Sequence, residues 1–160
     1  MRRTTMGLAA AALMLAGSVA ASAGGRAAAP DSQSDVIAGR QAAFRMSGAL
    51  MGSMGAVAKS GGDVKTQAFA ARALASWAKA LPGMFPAGST AANSAALPAI
   101  WSDRATFEAR AADYAAAADK LAELAKAGDN AGFAAQLGAV GKTCGACHDG
   151  YRKPEERRPG

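Results

Sequence analysis

Residues 144–148 read Cys-Gly-Ala-Cys-His, and they hold the only two cysteines and the only histidine of a 160-residue chain. On a helix, thiols three apart and an imidazole four from the first share one side. At that spacing each thiol can add across a vinyl group of a flat macrocycle while the imidazole ligates its iron. C-x-x-C-H is the attachment signature of a c-type haem. Three other chemistries compete. A redox dithiol has no need of the histidine and belongs beside a strand–turn–helix unit, whereas this stretch continues the helical pattern of Phe133, Leu137 and Val140. A zinc site needs a fourth ligand, and no further Cys or His exists. A disulfide across two residues leaves the adjacent histidine unexplained. The expectation is one haem c, attached through thioethers to Cys144 and Cys147, with His148 as the iron ligand.

The amino terminus bears on where that haem is mounted. Met1-Arg2-Arg3 is a basic start, Met6 to Ala16 is apolar, and Ala21-Ser22-Ala23 is a small-x-small cleavage site. Together they predict a secretory signal peptide, residues 1–23, and a periplasmic haem domain, residues 24–160. A membrane anchor is the weaker reading, since roughly 20 apolar residues are needed to span a bilayer and this run breaks into Gly, Ser and Ala sooner. No stable membrane insertion is expected after cleavage. No cysteine follows the signal to take a lipid.

Loss of Arg2 and Arg3 leaves 16 basic side chains against 12 acidic ones. So mild a surplus gives no argument for nucleic acid. It is most concentrated in Arg152, Lys153, Arg157 and Arg158, which read as a solvated helix end or, alternatively, as a docking patch for a redox partner protein.

Alanine dominates, β-branched residues are sparse, and proline and glycine fall in a few places, so helix is expected nearly throughout. The first helix should run from about Ser32 to Ser60, with Ile37, Phe44, Met51, Met54 and Ala58 on one stripe and Gly61-Gly62 as its stop. The second begins near Asp63 and carries Val64, Ala68, Ala71, Leu74, Ala78 and Leu81 to Pro82. Residues 82–100 form the one long connection, a crossover or a lid. The third helix starts at Ser102 or Asp103 as N-cap and buries Phe107, Ala111, Tyr114, Ala118 and Leu121 until Gly128. The fourth starts at Asp129, passes through the C-x-x-C-H motif to Tyr151, and stops by Pro154. Short links make each pair antiparallel, which predicts an all-α antiparallel four-helix bundle with covalently bound haem. Gly138, Gly141 and Gly145 lie inside the last helix, where each costs about 0.5–1 kcal/mol relative to alanine. They either admit the macrocycle or a neighbouring helix closely, or are simply tolerated.

A signal peptide, four helices and C-x-x-C-H near the end of the last one resemble the class II cytochromes c, the cytochrome c′ group. Further residues carry the likeness over essentially the whole mature chain: Arg40-Gln41 with Ala42-Ala43-Phe44, Gly55-Ala56-Val57-Ala58-Lys59, Ile100-Trp101-Ser102-Asp103, and His148-Asp149-Gly150-Tyr151-Arg152-Lys153. The loop Leu81-Pro82-Gly83-Met84-Phe85-Pro86 is more similar to the low-spin branch of the same class.

The subtype turns on the sixth coordination position of the iron. With His148 used and no second histidine present, a methionine is the remaining soft ligand for an electron carrier. By the resemblance, the low-spin branch's ligating methionine falls where this chain has Phe44, which cannot ligate. Met46 lies about 200° around the helix from Phe44. Met51 lies about 10 Å further along the axis. Met51 and Met54 read as core filler, and only Met84 in the loop stays available. The expectation is a five-coordinate, high-spin haem with Phe44 over its open side, binding nitric oxide above all and carbon monoxide next. Bulkier or strongly hydrogen-bonding ligands should find neither room nor donors there. The alternative is a Met-ligated, low-spin electron-transfer cytochrome, and a second alternative makes Phe44 an ordinary core aromatic.

The family pattern and helix geometry also suggest Arg40 as partner of a haem propionate, Arg152 as the basic residue near the proximal imidazole, and Trp101 against the haem edge. The competing readings are snorkelling surface arginines and a tryptophan buried in a loop–helix corner. No distal acid–base residue points to turnover, so gas binding or electron transfer, not catalysis, is implied. The family's habit of pairing through its first two helices implies a homodimer, for which Met46 and Met54 on alanine-rich outer faces are candidates.

Overall fold

Four long amphipathic stretches need one another's apolar faces, and they bury them as a four-helix bundle. The computed structural model describes residues 32–154. The expected signal peptide, with Ala23, and the tail arginines Arg157 and Arg158 lie outside the described residues.

Helix α1 spans Ser32–Ser60, as the periodicity predicts. Gly61 adopts φ 68°, and the following Gly62 donates its N–H to Val57 O at 3.1 Å. That left-handed step closes the helix and satisfies carbonyls its last turn leaves free. Asp63 then accepts from Lys65 N at 2.9 Å and opens a 3-10 turn, Val64–Gln67, that leads straight into α2, Ala68–Ala80. A second 3-10 turn, Leu81–Met84, takes up Pro82.

After the crossover, the four-residue helix α3, Ala99–Ser102, precedes α4, Arg104–Ala127. Gly128 at φ 77° ends α4, and Asp129 caps α5, Asn130–Tyr151, by accepting from Gly132 N at 2.8 Å.

One cap is corrected. Asp103 occupies the N-cap position of α4, but its carboxylate accepts no helix N–H. It turns toward α5, where Tyr151 Oη donates to it at 3.4 Å. Helix α5 also stops at Tyr151, before Pro154, because the chain beyond it pairs with the crossover. Ala96 and Arg152 form an antiparallel bridge, Lys153 N donates to Ala95 O at 2.8 Å, and Leu97 N donates to Tyr151 O at 3.0 Å.

The core follows the predicted stripes of α2, α4 and α5. Leu74, Ala71, Ala78, Ala118, Leu121, Phe133 and Val140 are fully buried. Alanines on the facing sides of α2 and α4 let these two helices pack most extensively, together with α4 against α5. Burying a side chain the size of Phe133 stabilises by about 1.5–3 kcal/mol. Helix α1 fits its stripe less closely. Ile37 and Met54 are buried, Met51 is half-buried, and Phe44 is 38% exposed. Met54 at 0% exposure is core, which removes it from the outer face on which a dimer contact was expected.

Candidate functional site

On α5 the periodicity that buries Phe133, Val140 and Tyr151 also brings Cys144, Cys147 and His148 to one side, each half-buried. Neither cysteine is in a disulfide. Burial raises the Cys144 thiol above its usual pKa, and burial followed by the nearness of Cys144 raises that of Cys147. A redox dithiol needs a lowered thiol pKa, so the C-x-x-C is not poised for exchange. Among the described residues no group of three His, Cys, Asp or Glu side chains is placed to hold a metal ion.

The fit to a flat, covalently held group is better. A Cβ added at Gly138, Gly141 or Gly145 would meet no atom within 4 Å, so these glycines do not serve close packing of a neighbouring helix. A Cβ at Gly55 on α1 would make only an ordinary contact, 3.9 Å from Leu137 Cδ2. Two unbridged thiols and an imidazole one turn apart, with Gly141 and Gly145 uncrowded beside them, suit a macrocycle joined by two thioethers.

Phe44 stands on the side of α1 that also bears Arg40, one turn earlier. Its ring meets Trp77 of α2 at 5.3 Å and 89°, and Phe85 of the crossover at 6.3 Å and 52°. Phe85 in turn lies 5.3 Å from Phe107, which lies 5.2 Å from Tyr151. An unbroken chain of aromatic rings thus runs from α2 past Phe44 to the turn after His148. Six of the nine aromatic residues belong to it once Trp101, 6.3 Å from Phe85, is included.

Arg40 is 2% exposed and grips the crossover. Its Nη1 donates to Met84 O and Ser89 Oγ, its Nη2 to Ser89 O and Ser94 Oγ, and its guanidinium lies 4.4 Å over the Phe85 ring. Burial lowers its pKa below the ordinary arginine value. It is neither a snorkelling surface arginine nor a side chain with its Nη donors uncommitted, so a propionate would meet a guanidinium four of whose N–H bonds hold the loop.

Trp101 sits in the corner between the crossover and α3, donates Nε1–H to Pro86 O at 2.9 Å, and borders an open groove of about 700 Å³ that also includes Ser94 and Lys153. This is the loop–helix corner of the second reading. Arg152 follows the end of α5 in extended backbone, φ −118° and ψ 134°, with its N–H still bonded to His148 O at 3.2 Å.

Four contributors carry no signal as site residues in the sequence. Phe85 lies in a loop and Trp77 on no predicted stripe. Arg104 donates to Phe85 O and Pro82 O and lies 5.4 Å over Phe107, gripping the crossover from α4. Tyr114, predicted only as core, has its phenol beside Cys144 and Ser47. Burial first and Cys144 second raise its pKa, while the Ser47 hydrogen bond opposes them.

Met84, the remaining candidate iron ligand, directs its Cε to within 3.8 Å of where a Cβ on Gly39 would stand. Gly39 lies five residues before Phe44, about 140° around α1 from it.

The comparisons with known proteins agree with this geometry. A family profile described as cytochrome c′ matches residues 35–152. Cytochrome c′ from Rubrivivax gelatinosus is 34% identical over 76% of this chain and 97% of its own, with a TM-score of 0.70. Cytochrome c prime from Shewanella frigidimarina is 32% identical over 78% and 98%, with a TM-score of 0.71. A variant of cytochrome c prime from Alcaligenes xylosoxidans, solved as its nitric oxide complex, is 30% identical over 77% and 97%, with a TM-score of 0.71. No curated protein sequence matches. A bundle whose last helix ends in the haem-attachment motif, matched along nearly its whole described length, belongs to the cytochrome c′ family and carries that family's single covalent haem c.

Proposed function

We propose that this cytochrome c′ is an exported, periplasmic gas-binding protein whose iron, ligated by His148 and tethered through Cys144 and Cys147, keeps its other axial position free beneath Phe44. The haem, when bound, supplies an iron that takes small diatomic ligands. The chain's own residues decide which of them reach it. The observation that carries the reading is the placement of Phe44, a side chain with no ligating atom, exposed on α1 and braced by Trp77 and Phe85, at the position where, by the family resemblance, the low-spin branch has its methionine.

The methionines support it. Met46 is 63% exposed and Met54 is fully buried. Met84 reaches α1 on the side of Gly39, away from the Phe44 face. A five-coordinate iron under a movable phenyl ring favours nitric oxide, then carbon monoxide, which are small and uncharged. The nitric oxide complex of the Alcaligenes relative is consistent with this ligand class.

Export is supported by the signal-like residues 1–23, with cleavage after Ala23. No helix of the described residues is long and apolar enough to cross a membrane. Pairing of two chains through α1 and α2 is supported by Met46 and by Phe69, 76% exposed on α2. Binding rather than turnover is the role assigned.

The test is visible absorption and low-temperature EPR of the ferric holoprotein, then of the ferrous holoprotein with nitric oxide. A high-spin ferric signal and ready nitric oxide binding are expected. A low-spin ferric spectrum that resists ligand would overturn the reading in favour of a methionine-ligated electron carrier.

A further inference from the structure

Among the described residues one buried side-chain donor has no acceptor, the indole Nε1 of Trp77. Leaving a buried N–H unbonded costs about 1–3 kcal/mol. A native structure that bears this cost at a particular place invites a functional reason. Trp77 stands against the Phe44 ring, edge to face at 5.3 Å and 89°. Phe44 is itself 38% exposed, with Phe85 on its other flank at 6.3 Å. A partly exposed phenyl ring, free to rotate about two side-chain bonds, therefore adjoins an indole whose N–H is withheld from solvent.

We propose that Phe44 covers the Trp77 N–H, and that a ligand entering on the Phe44 side uncovers it and receives its hydrogen bond. The inference rests on the gas-binding reading above. It departs from the expectation that ligands find no donor there. Displacing the phenyl ring opposes every entrant alike. Uncovering the indole favours only an entrant whose outer atom accepts a hydrogen bond, because only then does the orphaned donor gain a partner. The two side chains together would select by acceptor strength among ligands of one size, a discrimination that steric guarding alone cannot give. The ligand class is a small neutral molecule with an oxygen lone pair at its outer end.

The test uses the ferrous holoprotein with carbon monoxide. A hydrogen bond to the ligand oxygen weakens the C–O bond and lowers its infrared stretch. Trp77→Phe keeps an aromatic ring but lacks the N–H, so the stretch should move to higher frequency. As a second measurement, deuteration of the Trp77 indole nitrogen is followed by ultraviolet resonance Raman without ligand, in a Trp101→Phe background that removes the other indole. Phe44→Ala should make that exchange faster. Normal carbon monoxide binding with an unchanged stretch in Trp77→Phe would overturn the proposal while leaving the gas-binding reading intact. Exchange no faster in Phe44→Ala would equally overturn it, and decides the matter if Trp77→Phe does not fold. A holoprotein that takes no carbon monoxide would overturn the gas-binding reading, and this inference with it.

Discussion

Arg40 Nη2 donates to Ser89 O at 2.7 Å while its Nη1 donates to Ser89 Oγ at 2.8 Å, so one α1 side chain holds both the backbone and the hydroxyl of a residue 49 positions away. Ser94 extends the link. Its Oγ accepts from Arg40 Nη2 at 3.1 Å, and its carbonyl accepts from Lys153 Nζ at 3.2 Å. The crossover is thereby tied both to the helix bearing Phe44 and to the segment that follows His148. This makes it a strap across the site, not a mobile lid.

The grip depends on the planar fork of arginine. A lysine of similar length presents a point charge with rotating donors and cannot serve four acceptors in that arrangement. Arg40→Lys is expected to lower stability by about 1–3 kcal/mol in urea denaturation. Amide hydrogen exchange should locate the effect, faster in residues 84–94 and unchanged in α4. A uniform increase across α4 and α5 would show that Arg40 supports the bundle, not the strap.

How much of this is legible in the sequence follows from the range of each contact. Asp63, Asp129, Gly61 and Gly128 act on residues within a few positions, and local pattern alone puts all four at their helix ends. The Cys144, Cys147 and His148 face likewise follows from spacing alone. Asp103 departs from its expected cap because its partner, Tyr151, is 48 positions away and competes with the local helix N–H groups. Arg40, 44 to 54 positions from its acceptors, carries no local signal for them. Trp77 and Phe85 gain their meaning only from packing on Phe44, which no periodicity of α2 or of the crossover encodes.

Gly128 and Gly138 should respond oppositely to alanine. Gly128 has φ 77°, a conformation L side chains adopt reluctantly, and a Cβ there would stand 2.6 Å from Lys65 Cε, a flexible end that can move aside. The cost is then mainly conformational. Gly128→Ala should destabilise by about 1 kcal/mol. Gly138 is mid-helix, and a methyl added to it would have no atom within 4 Å, so Gly138→Ala should stabilise by up to about 1 kcal/mol. Thermal denaturation of the holoproteins distinguishes the two. A loss at Gly138 would mean that its open side is needed by the bound haem.

Both tyrosines titrate late. Burial raises the pKa of Tyr114 above the ordinary 10.0, and burial followed by the Asp103 carboxylate raises that of Tyr151. Thioether formation removes the Cys144 charge but not the burial of Tyr114. A folded-state pKa above the unfolded value gives stability that is full below the unfolded pKa and is lost as pH rises toward the folded one. The unfolding midpoint should therefore hold steady up to about pH 9 and fall above about pH 10, and Tyr114→Phe should flatten that fall. Ultraviolet difference titration should show tyrosinate appearing at higher pH than the ordinary tyrosine pKa. A normal titration would mean that the phenols are solvated in the holoprotein.

Trp101 provides the sharpest separation between framework and site. Its indole N–H bonds to Pro86 O at 2.9 Å, and its ring lies 6.3 Å from Phe85, one ring removed from Phe44. Trp101→Phe should cost about 1 kcal/mol for the lost hydrogen bond. Because the strap keeps its Arg40 and Arg104 anchors, the ferric EPR signal and the carbon monoxide stretch should stay as in the natural chain. A spectral change without a matching loss of stability would place Trp101 at the haem edge, as the family resemblance implies, and would show that the crossover closes differently once the haem is attached.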